Sequence, residues 1–350
     1  MKTIAAGPIL VQATRGGIVE SFHRGAFAVV DAQGALVQAL GDIERPIFPR
    51  SAVKLLQALP LVASGAADAL ALGDEELALA CASHSGEEAH ARTAAGMLAK
   101  AGVDAGVLEC GTHWPYNEEA QRELARSGLS PSALHNNCSG KHSGFVCLGC
   151  HLHGREGLRG FLAGYVQPGH ALMREVSAAL QAATGWDLRQ SARGIDGCSI
   201  PAHAVPLRHL ALAFARVASG QGLPPELARA ARRLREAAAR APFFTSGTGK
   251  FDARVMTHFG TRVYCKVGAE GVHCAALPEL GLGIAVKMDD GNNARACEVV
   301  LAALLQRLFA RSASSEADAV FLAALADQPL RNRRGIEVGR LQAAAALRAA

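Results

Sequence analysis

The chain has 350 residues, half of them apolar, with 36 basic against 31 acidic side chains and a formal charge of +5. That length supports one large or two medium domains around a substantial core, and so small and scattered a charge excess argues against a nucleic-acid-binding surface. No apolar run approaches the roughly eighteen residues that a membrane helix needs, Gly7 and Pro8 break the first apolar stretch too early for an export signal, and nine cysteines, an odd number, fit a reducing cytoplasm with free thiols.

In chain order, Val19 to His23, Ala26 to Val30 and Ala35 to Leu40 are short strand-like runs. Arg24-Gly25 and Asp31-Ala-Gln-Gly34 separate them, so the chain opens as an antiparallel meander. A helix follows from Ser51 to Pro60, a second covers Glu75 to Ala82, and Ser85-Gly-Glu-Glu88 has the pattern of a capping box for a third ending near Lys100. Asn136 to His142 opens a helix that stops at Gly154, and further helices span about Val205 to Val217 and Pro225 to Arg240. Strands return over Thr261 to Lys266, Val272 to Leu277 and Leu282 to Met288, then a helix over Asn293 to Ala310, and one last strand at Ile336 to Val338. The Ala-rich tail from Leu341 reads as plain helix or frayed end. Strands at both ends around a helical middle make an α+β fold in which the terminal segments share one antiparallel sheet. The sheet-forming parts are 8–45 and 255–340, the helical part is 50–245, and the whole is a single catalytic unit.

Only seven of the 36 basic residues are lysine. A guanidinium stays protonated in a protein whereas a desolvated ammonium can give up its proton, so lysine kept in an arginine-rich chain points to base or ligand chemistry. Ser51-Ala-Val-Lys54 has Ser-x-x-Lys spacing, which on a helix sets the amine one turn from the hydroxyl, where it can act as general base for a serine nucleophile. The bland alternative is a serine cap followed by a solvated lysine. Lys266-Val-Gly268, at a strand end, is similar to the Lys-Thr-Gly element of penicillin-recognising enzymes, and Ser83 in Ala82-Ser-His-Ser-Gly-Glu87 is a second nucleophile or a proton shuttle, or simply a cap. Cys138, Lys141 and His142 share a helix face, and Cys198 lies in the turn-rich Gly194-Ile-Asp-Gly-Cys-Ser-Ile-Pro201. Two thiolates and a nitrogen make a zinc site chemically reasonable, and Asp196 accepts from an amine or serves as a turn residue. Cys147-Leu-Gly-Cys150-His151 matches a haem-attachment pattern by coincidence on an apolar helix, Ser246-Gly-Thr-Gly-Lys250 lacks phosphate-loop spacing and reads as a loop, and His203 and His209 read as packing residues.

Taken together, six ordered motifs resemble the rhizobial-type, or third-class, L-asparaginases, whose fold is similar to serine β-lactamases and serine-dependent glutaminases. They are Pro49-Arg-Ser-Ala-Val-Lys54, Cys81-Ala-Ser-His-Ser-Gly-Glu87, Asn136-Asn-Cys-Ser-Gly-Lys-His-Ser-Gly144, Gly194 to Pro201, Lys266-Val-Gly-Ala-Glu-Gly271 and Asp290-Gly-Asn-Asn293. The resemblance implies two Ser-Lys tandems, Ser51 with Lys54 and Ser83 with Lys266, sharing one pocket with Ser51 as nucleophile. It implies a zinc site on Cys138, Lys141 and Cys198 with a water, substrate contacts at Arg50, His142 and Asp196, and a homodimer. Val267 stands where the penicillin-recognising pattern has a hydroxyl residue, which counts against β-lactam chemistry.

The chemistry is coherent on its own terms. Asparagine needs a cation for its α-carboxylate, an acceptor for its α-ammonium and an activated nucleophile at the amide carbon; Arg50, Asp196 and Ser51 supply these. Two rival functions remain open from the sequence: another Ser-Lys hydrolase, a glutaminase or peptidase, and a non-catalytic zinc-binding protein.

Overall fold

The structure is a computed structural model that describes residues 6–312 and 315–349, so the first five residues of the stretch read for an export signal, and Ala350 of the tail, lie outside it. Its centre is an eight-stranded antiparallel sheet. The strands are β1 (Ile9–Arg15), β2 (Ile18–Asp31), β3 (Leu36–Leu40), β4 (Tyr264–Val267), β5 (Val272–Leu277), β6 (Leu282–Met288), β7 (Asp327–Arg331) and β8 (Glu337–Ala343). They run in the order β7-β8-β1-β2-β6-β5-β4, with β3 also pairing β2. N- and C-terminal segments therefore meet in one sheet, with β2 and β6 at the seam in the register Phe27 to Val286, which is the expected α+β arrangement.

The helical middle is anchored by α1 (Lys54–Ala63), followed by α2 (Asp74–Ala80), α3 (Glu88–Lys100), α4 (Ser139–His153), α5 (Ala171–Thr184), α6 (Leu207–Ser219), α7 (Pro225–Arg240), α8 (Phe251–Phe259) and α9 (Glu298–Ala310). Residues Lys54 to Leu61 of α1 are all buried, because α4, α5 and α7 surround it. A helix apolar on every side is a core helix. The α6 helix lies over β2, β5 and β6 and joins the helical layer to the sheet.

Several boundaries differ from the sequence reading. Pro60 does not end the first helix but sits inside it; tertiary packing on all sides outweighs one missing hydrogen bond. Ser85 does not cap α3, since its hydroxyl donates to Glu87 Oε1 at 2.6 Å and the helix starts at Glu88. Leu341 to Ala343 belong to β8, and only Ala345–Ala349 are helical. The α5 helix, a helix at Glu316–Ala326 and strand β7 were not anticipated. The expected turn at Arg24-Gly25 is absent: β2 runs straight through it. Gly25 is there because β6 passes close, and a Cβ at this position would sit 2.3 Å from the Lys287 carbonyl oxygen. Gly25→Ala is therefore expected to lower stability by about 1–3 kcal/mol as an overpacked core change. An unchanged urea midpoint would show that the β2–β6 seam yields easily.

Candidate active site

Ser51 lies in a 3₁₀ turn, Arg50–Val53, that leads directly into α1. The residue before it, Arg50, has φ of 52°, a left-handed conformation that costs a non-glycine residue about 1–2 kcal/mol. Two contacts hold the turn. The Arg50 guanidinium donates through Nε to Asp196 Oδ1 at 2.7 Å. On the other side Gly268 packs so closely that a Cβ there would come within 2.7 Å of the Pro49 carbonyl oxygen. The glycine of Lys-Val-Gly thus lets the end of β4 close against the turn that carries Ser51.

Ser83 follows α2 and is tied to the opposite wall by its own N–H, which donates to the Thr245 carbonyl at 3.1 Å. Its hydroxyl is buried and has no hydrogen-bond partner. Two lysines adjoining these segments, Lys54 and Lys266, are buried. Lys54, 1% exposed, donates to the carbonyls of Ala82 at 2.5 Å and Asn137 at 3.4 Å. Lys266, fully buried at the end of β4, donates to its own neighbour's carbonyl, Val267 O, at 2.7 Å. Burial pulls the Lys266 ammonium down to about 8, against the opposing pull of Asp252, whose Oδ2 lies 3.9 Å away. Both amines are directed at carbonyl oxygens, so the Ser83 hydroxyl is engaged by neither.

Ser51 and Ser83 line one cavity of ≈ 400 Å³ together with Asn137, Val267 and Gly268. Roomier concavities exist, such as one of ≈ 1050 Å³ beside Phe243 and Phe244, but they lack a serine–lysine cluster, and chemistry rather than size selects the site. The same cavity has walls to which the sequence assigned no site role: Ser246 and Lys250, read as a loop; Asn293, the end of the sixth motif; and Asp252 and Glu298, which no motif contains. The Ser246-Gly-Thr-Gly-Lys250 segment is indeed a loop, stitched down by Glu87, which accepts from Thr248 N–H at 2.9 Å and Thr248 Oγ1 at 2.7 Å. Ser246 Oγ is buried there without a partner. Burial raises the Glu298 carboxyl to about 7. No spacing rule flags these residues, because the loop after α7 and the start of α9 meet only in three dimensions.

The expected metal ligands do converge. Lys141 Nζ donates to Cys198 Sγ at 2.9 Å, and the Cys138, Lys141 and Cys198 side chains are all at most 5% exposed. The neighbouring Cys198 sulfur pulls the Cys138 thiol well down against its burial, with Lys54 and Lys141 adding to the pull. Burial opposes the Lys141 ammonium, but the two sulfurs outweigh it and raise the amine. A buried pair of thiols with an amine suits a borderline-soft cation such as Zn2+, so the donor set fits the metal that the sequence suggested. A different trio, Asp252, Cys265 and His273, also brings three donor atoms within 4.8 Å.

The three expected substrate contacts are not walls of the serine cavity. Arg50 lines a neighbouring cavity of ≈ 680 Å³ with Phe48 and Ile195, so the two cavities are lined by consecutive residues of one turn. Asp196 is already paired with Arg50. His142 is fully buried on α4, with Nδ1 2.5 Å from the Tyr165 hydroxyl. That hydroxyl accepts from Glu109 N–H at 3.1 Å, so its proton goes to Nδ1 and the network places the ring proton on Nε2, which has no partner. The haem-like cysteines are core packing: Cys147 and Cys150 face backbone carbonyls of the α3 region.

An α+β protein with two serines on one cavity, where the sheet edge meets the helical layer, is what this fold and site define. Residues 11–343 match the L-asparaginase II family, and the chain belongs to it; its members are amidohydrolases. No curated protein matches the chain. Similar solved structures include Mglu in the presence of 4.3 M NaCl, at 19% identity and TM-score 0.34, covering 78% of this chain and 58% of that one. A β-lactamase from Mycobacterium bovis, Mb2281c, is similar at 12% identity and TM-score 0.37, covering 86% of this chain and 94% of that one. The chain thus spans 58% of the length of Mglu, and likenesses this slight carry no argument about the site. Among the described residues no helix is long and apolar enough to cross a membrane.

The burial of Lys266 has a measurable signature. Unfolded, the amine titrates near 10.4; folded, it titrates at about 8. Between those values the unfolded chain holds more protons, so stability rises with pH. Urea midpoints of the wild type are expected to climb from pH 8 to pH 10, and Lys266→Met to lack that climb; identical slopes would place the amine in water.

Proposed function

We propose that the protein hydrolyses the side-chain amide of L-asparagine to aspartate and ammonia. The observation that carries this reading is the convergence of Ser51 and Ser83, each backed by a buried lysine, on one cavity in an L-asparaginase II chain.

Ser51 Oγ attacks the amide carbon while Lys54, moving from its carbonyl partners, takes the hydroxyl proton. The tetrahedral oxyanion is met by backbone N–H groups near Ser51 and Ser83. Lys54, now carrying that proton, delivers it to the amide nitrogen; the C–N bond breaks, ammonia leaves, and an ester to Ser51 remains. Water, deprotonated by the neutral Lys266 through Ser83, attacks the ester; the C–O bond to Ser51 breaks, Ser51 Oγ takes that proton back, and aspartate is released. Arg50 uses only Nε on Asp196, which leaves its terminal N–H groups for the α-carboxylate, and Asp196 Oδ2 for the α-ammonium. His142 Nε2–H is a further donor on this side.

Cys138, Lys141 and Cys198 would hold Zn2+. Bound there, it supplies a fixed positive charge behind the Ser51 turn. The site's own residues impose a pH dependence: Lys141 must lose a proton before its amine can ligate, so affinity rises with pH. Added Zn2+ is expected to raise the thermal midpoint of the wild type, more at pH 8 than at pH 6, and to leave Cys198→Ser unmoved. An equal shift in that variant would remove these residues as the ligands.

Ammonia release from asparagine is expected to exceed that from glutamine and to rise with pH through about 8, as Lys266 loses its proton. Ser51→Ala is expected to lower kcat by roughly 10³-fold or more. Full activity in Ser51→Ala, or a rate flat from pH 6 to 9, would overturn the mechanism.

A further inference from the structure

Behind Lys266 lies a buried carboxylate to which no function has been assigned. Asp252, on α8, is 1% exposed and saturated with partners. Its Oδ2 accepts from the Val267 N–H at 2.9 Å, its Oδ1 accepts from His273 Nε2 at 2.8 Å, and the Cys265 thiol lies 3.7 Å from Oδ1. Lys266 Nζ stands 3.9 Å from Oδ2, beyond a good hydrogen bond but well within range of a strong Coulomb attraction in a dry interior. One carboxylate therefore grips the backbone at the end of β4, one residue beyond Lys266, and sets the charge environment of its amine. We propose that Asp252 is a positioning residue of the amide-hydrolysis centre: it fixes the Lys266-Val-Gly268 strand end against the Ser51 turn and tunes how readily Lys266 gives up its proton.

The arrangement favours this role over simple packing and over a metal site. A carboxylate buried for structure alone needs donors, and Val267 and His273 already supply them; a lysine left at 3.9 Å without a hydrogen bond adds electrostatic control rather than satisfaction. As a metal cradle the Asp252, Cys265 and His273 trio is spent, because both carboxylate oxygens are occupied by N–H donors. The groups facing Lys266 from the surrounding elements are Asp252 of α8, Lys54 of α1, Cys138 at the start of α4, Cys81 after α2, Cys274 of β5 and its neighbour Cys265. Burial holds the Cys81, Cys265 and Cys274 thiols above their ordinary range. Asp252 itself is held at about 2, because His273, Lys266 and the Val267 N–H outweigh its burial. Asp252 is thus the fixed anion on the α8 side of Lys266.

His273 makes the test practicable. Its Nε2 donates to Asp252, and its Nδ1 is buried without a partner. In Asp252→Asn the ring can move its proton to that free Nδ1 and accept from the new amide N–H, while the amide oxygen still accepts from Val267. The charge is removed and the hydrogen-bond framework is kept.

The inference rests on Lys266 acting as a base, and the experiment separates the two ideas. The pH profile of kcat/KM for asparagine is measured for wild type, Lys266→Met, Asp252→Asn and His273→Phe, with circular dichroism to confirm folding. Loss of the rise near pH 8 in Lys266→Met establishes the base; a profile unmoved by that substitution overturns the base, and the inference with it. Given that base, Asp252→Asn is expected to move the rise to lower pH by at least one unit, since the ammonium loses its anion. A lower rate with an unshifted profile would reduce Asp252 to packing and overturn the inference alone. If Asp252→Asn does not fold, His273→Phe decides. Stripping a donor from Asp252 leaves its charge to Lys266 and moves the rise upward by about half a unit, and an unmoved rise overturns the inference.

Discussion

Three lysine side chains, Lys54, Lys141 and Lys266, are at most 2% exposed, and taking an ammonium out of water is among the most expensive things a fold can do. Each is compensated differently. Two backbone carbonyls receive Lys54, a pair of thiols faces Lys141, and a carboxylate stands 3.9 Å from Lys266. Because these partners come from loops after α2, from the start of α4, from the turn at Cys198 and from α8, the three amines act as pins that draw the helical middle onto the edge of the sheet. The serine cavity is lined by residues next to these pins and their partners, Asn137 beside Cys138 and Val267 beside Lys266. Remove the compensation and the amines must either lose their protons or reach water, and the walls of the site would part.

The differences in compensation also separate the chemistry. Carbonyl oxygens hold a donor without fixing its charge, so Lys54 can leave them for a substrate step. One thiol, Cys138, pulled toward its anion beside the Lys141 ammonium suits a cation that replaces the proton. Burial drives the Lys266 amine toward neutrality and the carboxylate 3.9 Å away partly restores its charge, leaving it titrating at about 8. One residue type thus takes three functions, each set by its partner.

Strain accumulates at the same place. Arg50 is left-handed, and so is Ser199 beside Cys198, with φ of 52° and 75°. The Arg50 to Asp196 ion pair joins these two irregular turns. A glycine at 268 and a 3₁₀ turn at Ser51 complete a rigid junction in which the nucleophilic hydroxyl has little freedom. Stored strain of this kind persists only where surrounding contacts over-determine it, and here those contacts are the Arg50 to Asp196 pair and the close approach of Gly268 to Pro49.

The sequence by itself determined the α+β class, the strands Val272–Leu277 and Leu282–Met288, the helices at 139–153 and 225–240, and the six motifs that mark the family. These are local quantities: periodicity, turn residues and spacing survive in one dimension. It read Gly25 as a turn and Pro60 as a stop, because a lone glycine or proline signals punctuation until a neighbouring strand or a surrounding core shows otherwise. It missed Asp252, Glu298 and Ser246, whose importance lies in neighbours from other elements: Val267 and His273 come to Asp252 from the sheet, 15 and 21 residues further along the chain. Only the tertiary structure decided that Arg50 and Asp196 pair through Nε and Oδ1 and that each buried amine faces a different partner. Charge compensation is a property of proximity, and a linear chain does not encode proximity in any one residue.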